Sequence, residues 1–542
     1  MTDRTPGDRA DVCVVGAGPA GALLAHRLAS DGYDVVVLEG GPRFDPDSRE
    51  RRMERAIRPA ADTPSVWGMG GERDAYASSG PRFYPLNAAR VKGVGGSSLH
   101  WQGMVMRYHE SDFERTTPDG ATWPIDYADL WPYYAAAERE LGVAGASDNP
   151  YAPPREEPQP LPAFEPSYSD SLFARACERL GVVTHSVPNA RNSEGYDGRS
   201  ACVGYGTCQP VCPSGAKYSA DVHVRKAERE GARVLDRAPV QRLVTGEDGD
   251  RVEAAVYATP DGTEHRQAAR QFVLACGGVE TPRLLLLSRS RDHPDGLANS
   301  SGAVGRYFMD HCYAGAGGLL DRETRQNHVG FITTESHQFY DAPGRATEGT
   351  AGGIPASDAD LAPIKLEFLN YAGPSPVEMA LSGDEWGDAL RDRLDAAYGN
   401  HVAMGGLVGQ RARPENRVTL DPSTTDDHGN PVPDVQWSLD ARARRSIERA
   451  NAIQTAILEE LGAADVGVVG PEATGPAYHH MGTTRMGTDP AESVVDPRLR
   501  THDVANLSVA SSSVFVTSGA LNPTLTIAAL ALKAADHVAA DL

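Results

Sequence analysis

The strongest constraint on this chain sits at its beginning. Residues 11–16, Asp-Val-Cys-Val-Val-Gly, are a short β-branched run, and Gly16, Gly18 and Gly21 continue it as G-x-G-x-x-G. Residues 19–31 have the composition of a helix, and residues 34–39 (Asp-Val-Val-Val-Leu-Glu) form a second strand. A strand, a glycine-rich turn and a helix in that order make a βαβ unit. The three glycines serve a tight turn, close approach of backbone to a pyrophosphate, and helix–strand packing, while the helix N-terminus stabilises phosphate charge. Glu39 ends the second strand, where an acid accepts hydrogen bonds from ribose hydroxyls. The opening forty residues therefore predict a nucleotide-binding α/β domain.

With 542 residues the chain is too long for one small core. Its formal net charge of −22, with no basic patch or stripe, excludes a nucleic-acid binder. Lysine occurs only at positions 92, 217, 226, 365 and 533, so arginine carries most of the positive charge, and the acidic balance fits a protein kept soluble in high salt. No apolar run is long enough to span a membrane, and the polar first ten residues lack the apolar stretch of a signal peptide. These features predict a cytoplasmic protein without direct membrane insertion, export with a partner staying open. A proline-rich connector runs over 149–166. Residues 440–461 read as a long amphipathic helix and 507–510 as a strand followed by an apolar helix. The predicted organisation is a discontinuous Rossmann-type domain over 9–315 and 471–542 with an inserted α+β substrate-binding domain over 316–470; the stretch 340–400 carries no motif.

A second glycine cluster, Gly93-Val94-Gly95-Gly96-Ser97-Ser98, lets backbone pass close to a flat ring or a pyrophosphate. Further on stands Ala275-Cys276-Gly277-Gly278-Val279-Glu280-Thr281-Pro282. With the N-terminal fingerprint, in this order, these segments resemble the glucose–methanol–choline family of FAD oxidoreductases over most of the nucleotide domain. The resemblance implies FAD held by Gly16, Gly18, Gly21, Glu39, Gly95, Gly96, Ser97, His100, Val240, Ser511, Asn522 and Thr524. In several members a histidine at the position of His100 is bonded covalently to the flavin, and Trp101 beside it matches the pyranose-oxidising branch; a histidine that merely packs on the ring is the alternative. Many members carry an acid where Ala510-Ser511-Ser512 stands, which weakens that one contact.

Late in the chain lie Tyr478-His479-His480-Met481-Gly482-Thr483 and Asn522-Pro523-Thr524. The resemblance implies that His479 and Asn522 face the reacting alcohol. An alcohol C–H yields hydride only as its O–H loses a proton, and neutral imidazole is suited to accept that proton near neutral pH. Asn522 can donate a hydrogen bond to the developing alkoxide. His480 is read as a supporting or structural neighbour. The apolar helix from Thr524 offers its positive end to the reduced flavin.

Cys202, Cys208 and Cys212 are three of the seven cysteines, clustered within eleven residues and followed by Pro213, a pattern that points to a metal or cluster. The spacing is similar to that in FAD-dependent glucose dehydrogenase catalytic subunits and implies a 3Fe–4S or other iron–sulfur cluster, passing electrons to an accepting protein or small partner subunit. A zinc site of three cysteines with His223, or unligated thiols, are the alternatives. The function expected from all of this is dehydrogenation of a CH–OH group of a sugar, polyol or other alcohol. A hydrogen-peroxide-producing oxidase and a non-catalytic flavoprotein are the competing readings.

Overall fold

The computed structural model describes residues 4–44, 49–56, 58, 63–324, 332–340, 360–370 and 376–542. Residues 341–359 and 371–375, part of the motif-free stretch 340–400, lie outside the described residues.

The fingerprint strand is Ala10–Val15, and it sits at the centre of a seven-stranded mixed sheet. It pairs in parallel with Val35–Leu38 on one side and Glu264–Leu274 on the other. Arg233–Leu235 extends the parallel edge. The eleven-residue strand Glu264–Leu274 serves two further partners in succession. Its first half pairs antiparallel with Val252–Ala258, and its buried end, Phe272 to Leu274, pairs in parallel with Leu507–Val509. A chain segment more than two hundred residues away thus returns to the same sheet, which makes the nucleotide domain discontinuous. Helix Pro19–Ser30 starts on a proline, whose missing N–H costs nothing in the first turn, and ends beside Gly32 at φ +90°. It packs against the C-terminal helix Thr524–Ala540.

A second sheet of six antiparallel strands has the order Ala464–Val469, Cys312–Leu319, His401–Val408, Ile364–Leu369, Thr334–Ser336, His185–Ser186. Helix Ala441–Leu461 covers one face. Asp440 caps its first turn by accepting from Ala443 N–H, and Gly462 in the left-handed region ends it. Its buried stripe includes Ile447, Ala450, Ile453 and Ile457, at helical spacing. Each fully buried isoleucine there contributes roughly 1.5–3 kcal/mol. The sheet's period of two decides what faces the other way. Ile364, Leu366 and Phe368 join the core under the helix, and the alternate residues Lys365, Glu367 and Leu369 point to the opposite face. That opposite face meets the nucleotide domain across a cavity of about 1200 Å³.

Candidate active site and nucleotide cradle

The floor of the cavity is built from glycines. A Cβ on Gly16 would lie 2.7 Å from the Ala275 carbonyl oxygen, and one on Gly21 would lie 2.0 Å from that of Gly16, so both are fixed by backbone packing. Gly18 is different: the nearest protein atom to its virtual Cβ is the Gly96 Cα at 3.9 Å, and the residue lines the cavity. The two glycine clusters meet here, since a Cβ on Gly96 would approach Gly18 Cα to 2.9 Å. Gly95 takes a φ of +109° next to the turn Gly96–Leu99 and packs on Leu99; Gly96, Ser97 and His100 reach the cavity wall. Glu39 is buried and oriented by the N–H groups of Ala17 (2.8 Å) and Gly41 (2.9 Å); burial pushes its carboxyl up, and these donors pull it down. Its remaining lone pairs are available to ribose hydroxyls on the cavity side. Val240, Ser511, Asn522 and Thr524 also line the cavity. A cradle of this length, with an acid at one end and backbone exposed at Gly18, fits a dinucleotide such as FAD.

At the far end, His479 and Asn522 come together: Asn522 Nδ2 lies 3.3 Å from His479 Nε2. Their protonation and orientation follow from neighbours. The Ser518 carbonyl can only accept, so His311 Nε2, 2.9 Å away, carries a proton. Burial pulls His311 down to about 4, so at neutral pH its Nδ1 is a bare lone pair. His479 Nδ1, 2.9 Å from it, must therefore hold the hydrogen of that contact. His479 Nε2 is left as an acceptor facing Asn522 and the cavity. Burial, with His311 and Lys365 nearby, holds His479 well below the usual histidine range, so the ring is a neutral base. The asparagine is fixed by the same logic. Lys365 Nζ has only donors and contacts Asn522 Oδ1 at 2.6 Å, which turns the amide NH₂ toward His479.

The backbone of this histidine is held as well. Asp310 accepts from the N–H groups of Tyr478 (3.1 Å) and His479 (2.8 Å) and from the Tyr84 hydroxyl. Burial pushes the Asp310 carboxyl up to about 7 against these donors. Tyr478 sits at φ +70°, a costly conformation for a residue with a Cβ, and the anchored N–H groups keep it there. His480 turns to the other side, against Tyr84 and Phe308; its Nε2 and His100 Nδ1 are buried without a hydrogen-bond partner among the described residues, and both rings line the cavity. Neither His311, Asp310, Lys365 nor Glu367 was singled out from sequence. A usable signal lay in Ile364–Leu369, where two charges alternate with apolar residues in a run otherwise fit for a core.

The cysteine loop abuts the same cavity. Lys217 Nζ donates to the carbonyls of Leu99 (3.1 Å), Trp101 (2.6 Å) and Cys208 (2.8 Å), binding the loop of His100 to that of the cysteines. The sulfurs receive donors of their own: Gly204 N–H at 3.5 Å from Cys202, Arg191 Nη1 at 3.7 Å from Cys208, and the Ser214 hydroxyl at 3.5 Å from Cys212. Burial raises the Cys212 thiol, but N–H donation from Lys217 and the Ser214 contact outweigh it and lower its pKa. Such surroundings suit thiolate ligands. A single zinc about 2.3 Å from each sulfur would hold them roughly 4 Å apart. Among the described residues, the ligand sets whose atoms lie within 4.8 Å of one another do not include these cysteines. His223 is also committed elsewhere, with Nδ1 on Tyr218 and Nε2 on Glu140, so it does not join these cysteines on a zinc ion.

Comparison with known proteins gives the family and the fold. Residues 78–313 and 412–531 match the two family models described as GMC oxidoreductase, and residues 14–56 match an NAD(P)-binding Rossmann-like domain. The chain is 32% identical to the fructose dehydrogenase large subunit of Gluconobacter japonicus over 98% of both chains. It is likewise 32% identical to a 2-methyl-1,2-propanediol dehydrogenase of Mycolicibacterium austroafricanum, over 98% of this chain and 96% of that one. Its fold is similar to that of an Aspergillus oryzae formate oxidase, with a TM-score of 0.69 at 17% identity over 99% of each chain.

Proposed function

Since the chain belongs to the GMC oxidoreductase family, FAD-dependent enzymes acting on CH–OH donors, we propose that it is a dehydrogenase of a sugar, polyol or related alcohol with His479 as its base. The observation that carries this reading is the His479 Nε2 lone pair, set by His311 and facing the Asn522 amide across 3.3 Å at the cavity wall. A hydroxyl placed between them donates its proton to Nε2 and receives a hydrogen bond from Nδ2. As the proton leaves, the amide stabilises the growing negative charge on oxygen, and the carbon–hydrogen bond is weakened toward loss of hydride. Bound FAD supplies the acceptor for that hydride. His100, its Nδ1 without a hydrogen-bond partner among the described residues and its ring on the cavity wall, is the candidate covalent anchor.

The route out of the flavin site that fits the residues best is an iron–sulfur cluster on Cys202, Cys208 and Cys212. Three thiols with N–H and hydroxyl donors, tied through Lys217 to the loop of His100, support it. One relative is described as the large subunit of its enzyme, which supports an accepting partner subunit here. No helix among the described residues is long and apolar enough to cross a membrane.

The experiment is an anaerobic visible spectrum before and after a polyol is added, followed by acid precipitation. Flavin bands over a broad brown absorbance, bleaching with substrate, are expected, and yellow retained in the pellet marks the covalent link. A clean flavin spectrum with stoichiometric peroxide in air would replace the dehydrogenase reading by an oxidase. A flavin that no CH–OH compound bleaches would end it.

A further inference from the structure

Beyond the base and its amide, the cavity wall carries a carboxylate to which the proposed chemistry gives no role. Glu367 is 4% exposed and lines the cavity. Its Oε1 lies 2.7 Å from Lys365 Nζ, yet this oxygen receives no aligned hydrogen bond among the described residues. The aligned bond of that ammonium goes instead to Asn522 Oδ1 at 2.6 Å. Behind them, Glu335 stands directly across the strand pair from Glu367 and touches Lys365 at 3.4 Å and His337 at 3.0 Å. One ammonium is thus shared by two carboxylates. Glu335 has a second partner in the protein; Glu367 Oε1 is enclosed against the ammonium, and Oε2, which takes no hydrogen bond among the described residues, is the oxygen left to the cavity that Glu367 lines.

Resting on the alcohol-oxidation reading above, we infer that Glu367 is a specificity-determining residue that accepts a hydrogen bond from a second hydroxyl of the substrate, on the carbon next to the one oxidised, so that the preferred substrates are vicinal diols, sugars included. Spacing sets the vicinal relation. Glu367, through Oε1, and Asn522, through its amide oxygen, both touch one ammonium, so the remaining carboxylate oxygen and the Asn522 NH₂ are neighbours on the cavity wall. A hydroxyl held by Asn522 and His479 leaves its neighbour, and not a remote group, at Glu367. The same ammonium selects a neutral donor. An amino group bound at Glu367 would bring a positive charge against Lys365. A buried carboxylate left without a donor penalises an analogue lacking the hydroxyl more than added contact rewards one that has it.

The test compares cyclohexane-1,2-diol with cyclohexanol in anaerobic flavin reduction by the holoenzyme, with a panel of hexoses as a control on the underlying activity. The diol is expected to exceed the mono-alcohol in kcat/KM by at least about tenfold. In Glu367→Gln, which keeps the volume and removes the charge, that ratio is expected to fall to about threefold or less. Equal rates with the two probes, no reduction by either while hexoses reduce the flavin, or a Gln variant that keeps the full ratio would each overturn the inference. Flavin that stays oxidised with every compound would strike the alcohol-oxidation reading itself. Should Glu367→Gln not retain FAD, the ratio in the unaltered enzyme decides alone.

Discussion

Replacing His311 tests the chain of protons on which the base depends. In His311→Leu the acceptor of His479 Nδ1–H is gone, and the leucine that takes the fully buried position of His311 offers none. A buried donor left without a partner costs about 1–3 kcal/mol. That cost falls on the tautomer that offers Nε2 as a lone pair, so the reactive form of the ring becomes a minority. At about 1.4 kcal/mol it drops to near a tenth of the population, and flavin reduction slows in proportion. In His311→Asn the amide oxygen takes nearly the place of Nδ1 and can accept the same hydrogen. The expected pattern in anaerobic stopped flow at saturating substrate is about a tenfold loss for Leu and less than about threefold for Asn. Both variants leave the Ser518 carbonyl without its ring donor, so a shared loss of stability cancels from the comparison. A Leu variant as fast as the parent, or an Asn variant as slow as Leu, would refute the tautomer argument.

Three further expectations follow from the same distances. Because burial holds His479 well below its ordinary range and His311 at about 4, the base stays neutral from pH 8 down to about pH 6, and the inflection expected in flavin reduction over that window is that of Asp310, near 7; an inflection near pH 6.5 that persists in Asp310→Asn would mean an ordinary histidine. Gly18→Ala should fold normally, its methyl having no protein atom closer than 3.9 Å, yet lose FAD affinity at least about tenfold, whereas Gly21→Ala should destabilise the apoprotein by about 3 kcal/mol or more because the Gly16 carbonyl cannot move; thermal midpoints of apoprotein and flavin titrations separate the two. Cys208→Ser should remove the broad brown absorbance while the flavin bands remain, and an unchanged spectrum would rule out these cysteines as cluster ligands.

What could be read without coordinates was whatever depends on near neighbours in the chain. The βαβ start at residues 10–38 and the helix 441–461 appear within one or two residues of their expected ends, because glycine turns, caps and helical periodicity are local. One helix depends on a distant partner. Helix Gly277–Leu287 carries Pro282 inside it. Proline cannot donate to the Gly278 carbonyl, and the Thr483 hydroxyl does so instead, at 2.7 Å. The sequence marks the proline but not the threonine two hundred residues later that makes it tolerable. The pair His479 and Asn522 could be named only through family resemblance, since nothing in either segment alone shows that they meet.

The residues that escaped notice share a cause. Asp310 and His311 precede the strand Cys312–Leu319, whose neighbour at the sheet edge leads on toward residues 477–481, and the meaning of both lies in that approach: Met309 pairs with Met481 and Ala477 N–H donates to the His311 carbonyl. Lys365 and Glu367 acquire theirs from strand alternation and from the register that sets Glu335 opposite Glu367. The division of labour is therefore physical. In the proposed reaction the nucleotide domain supplies the groups that meet the alcohol, His479 and Asn522, on loops beside its sheet. The antiparallel sheet supplies the groups that orient them, because a two-residue period can bury a helix-facing hydrophobic row while turning charges toward the cavity. Two substitutions separate these roles. His479→Ala should abolish flavin reduction with FAD still bound. Lys365→Met, which frees the Asn522 amide to rotate, removes the cation from Glu367 and leaves Glu335 with His337 alone, should slow reduction and also destabilise the fold by about 3–5 kcal/mol. If Lys365→Met left the rate unchanged, the amide would be held by something other than this sheet.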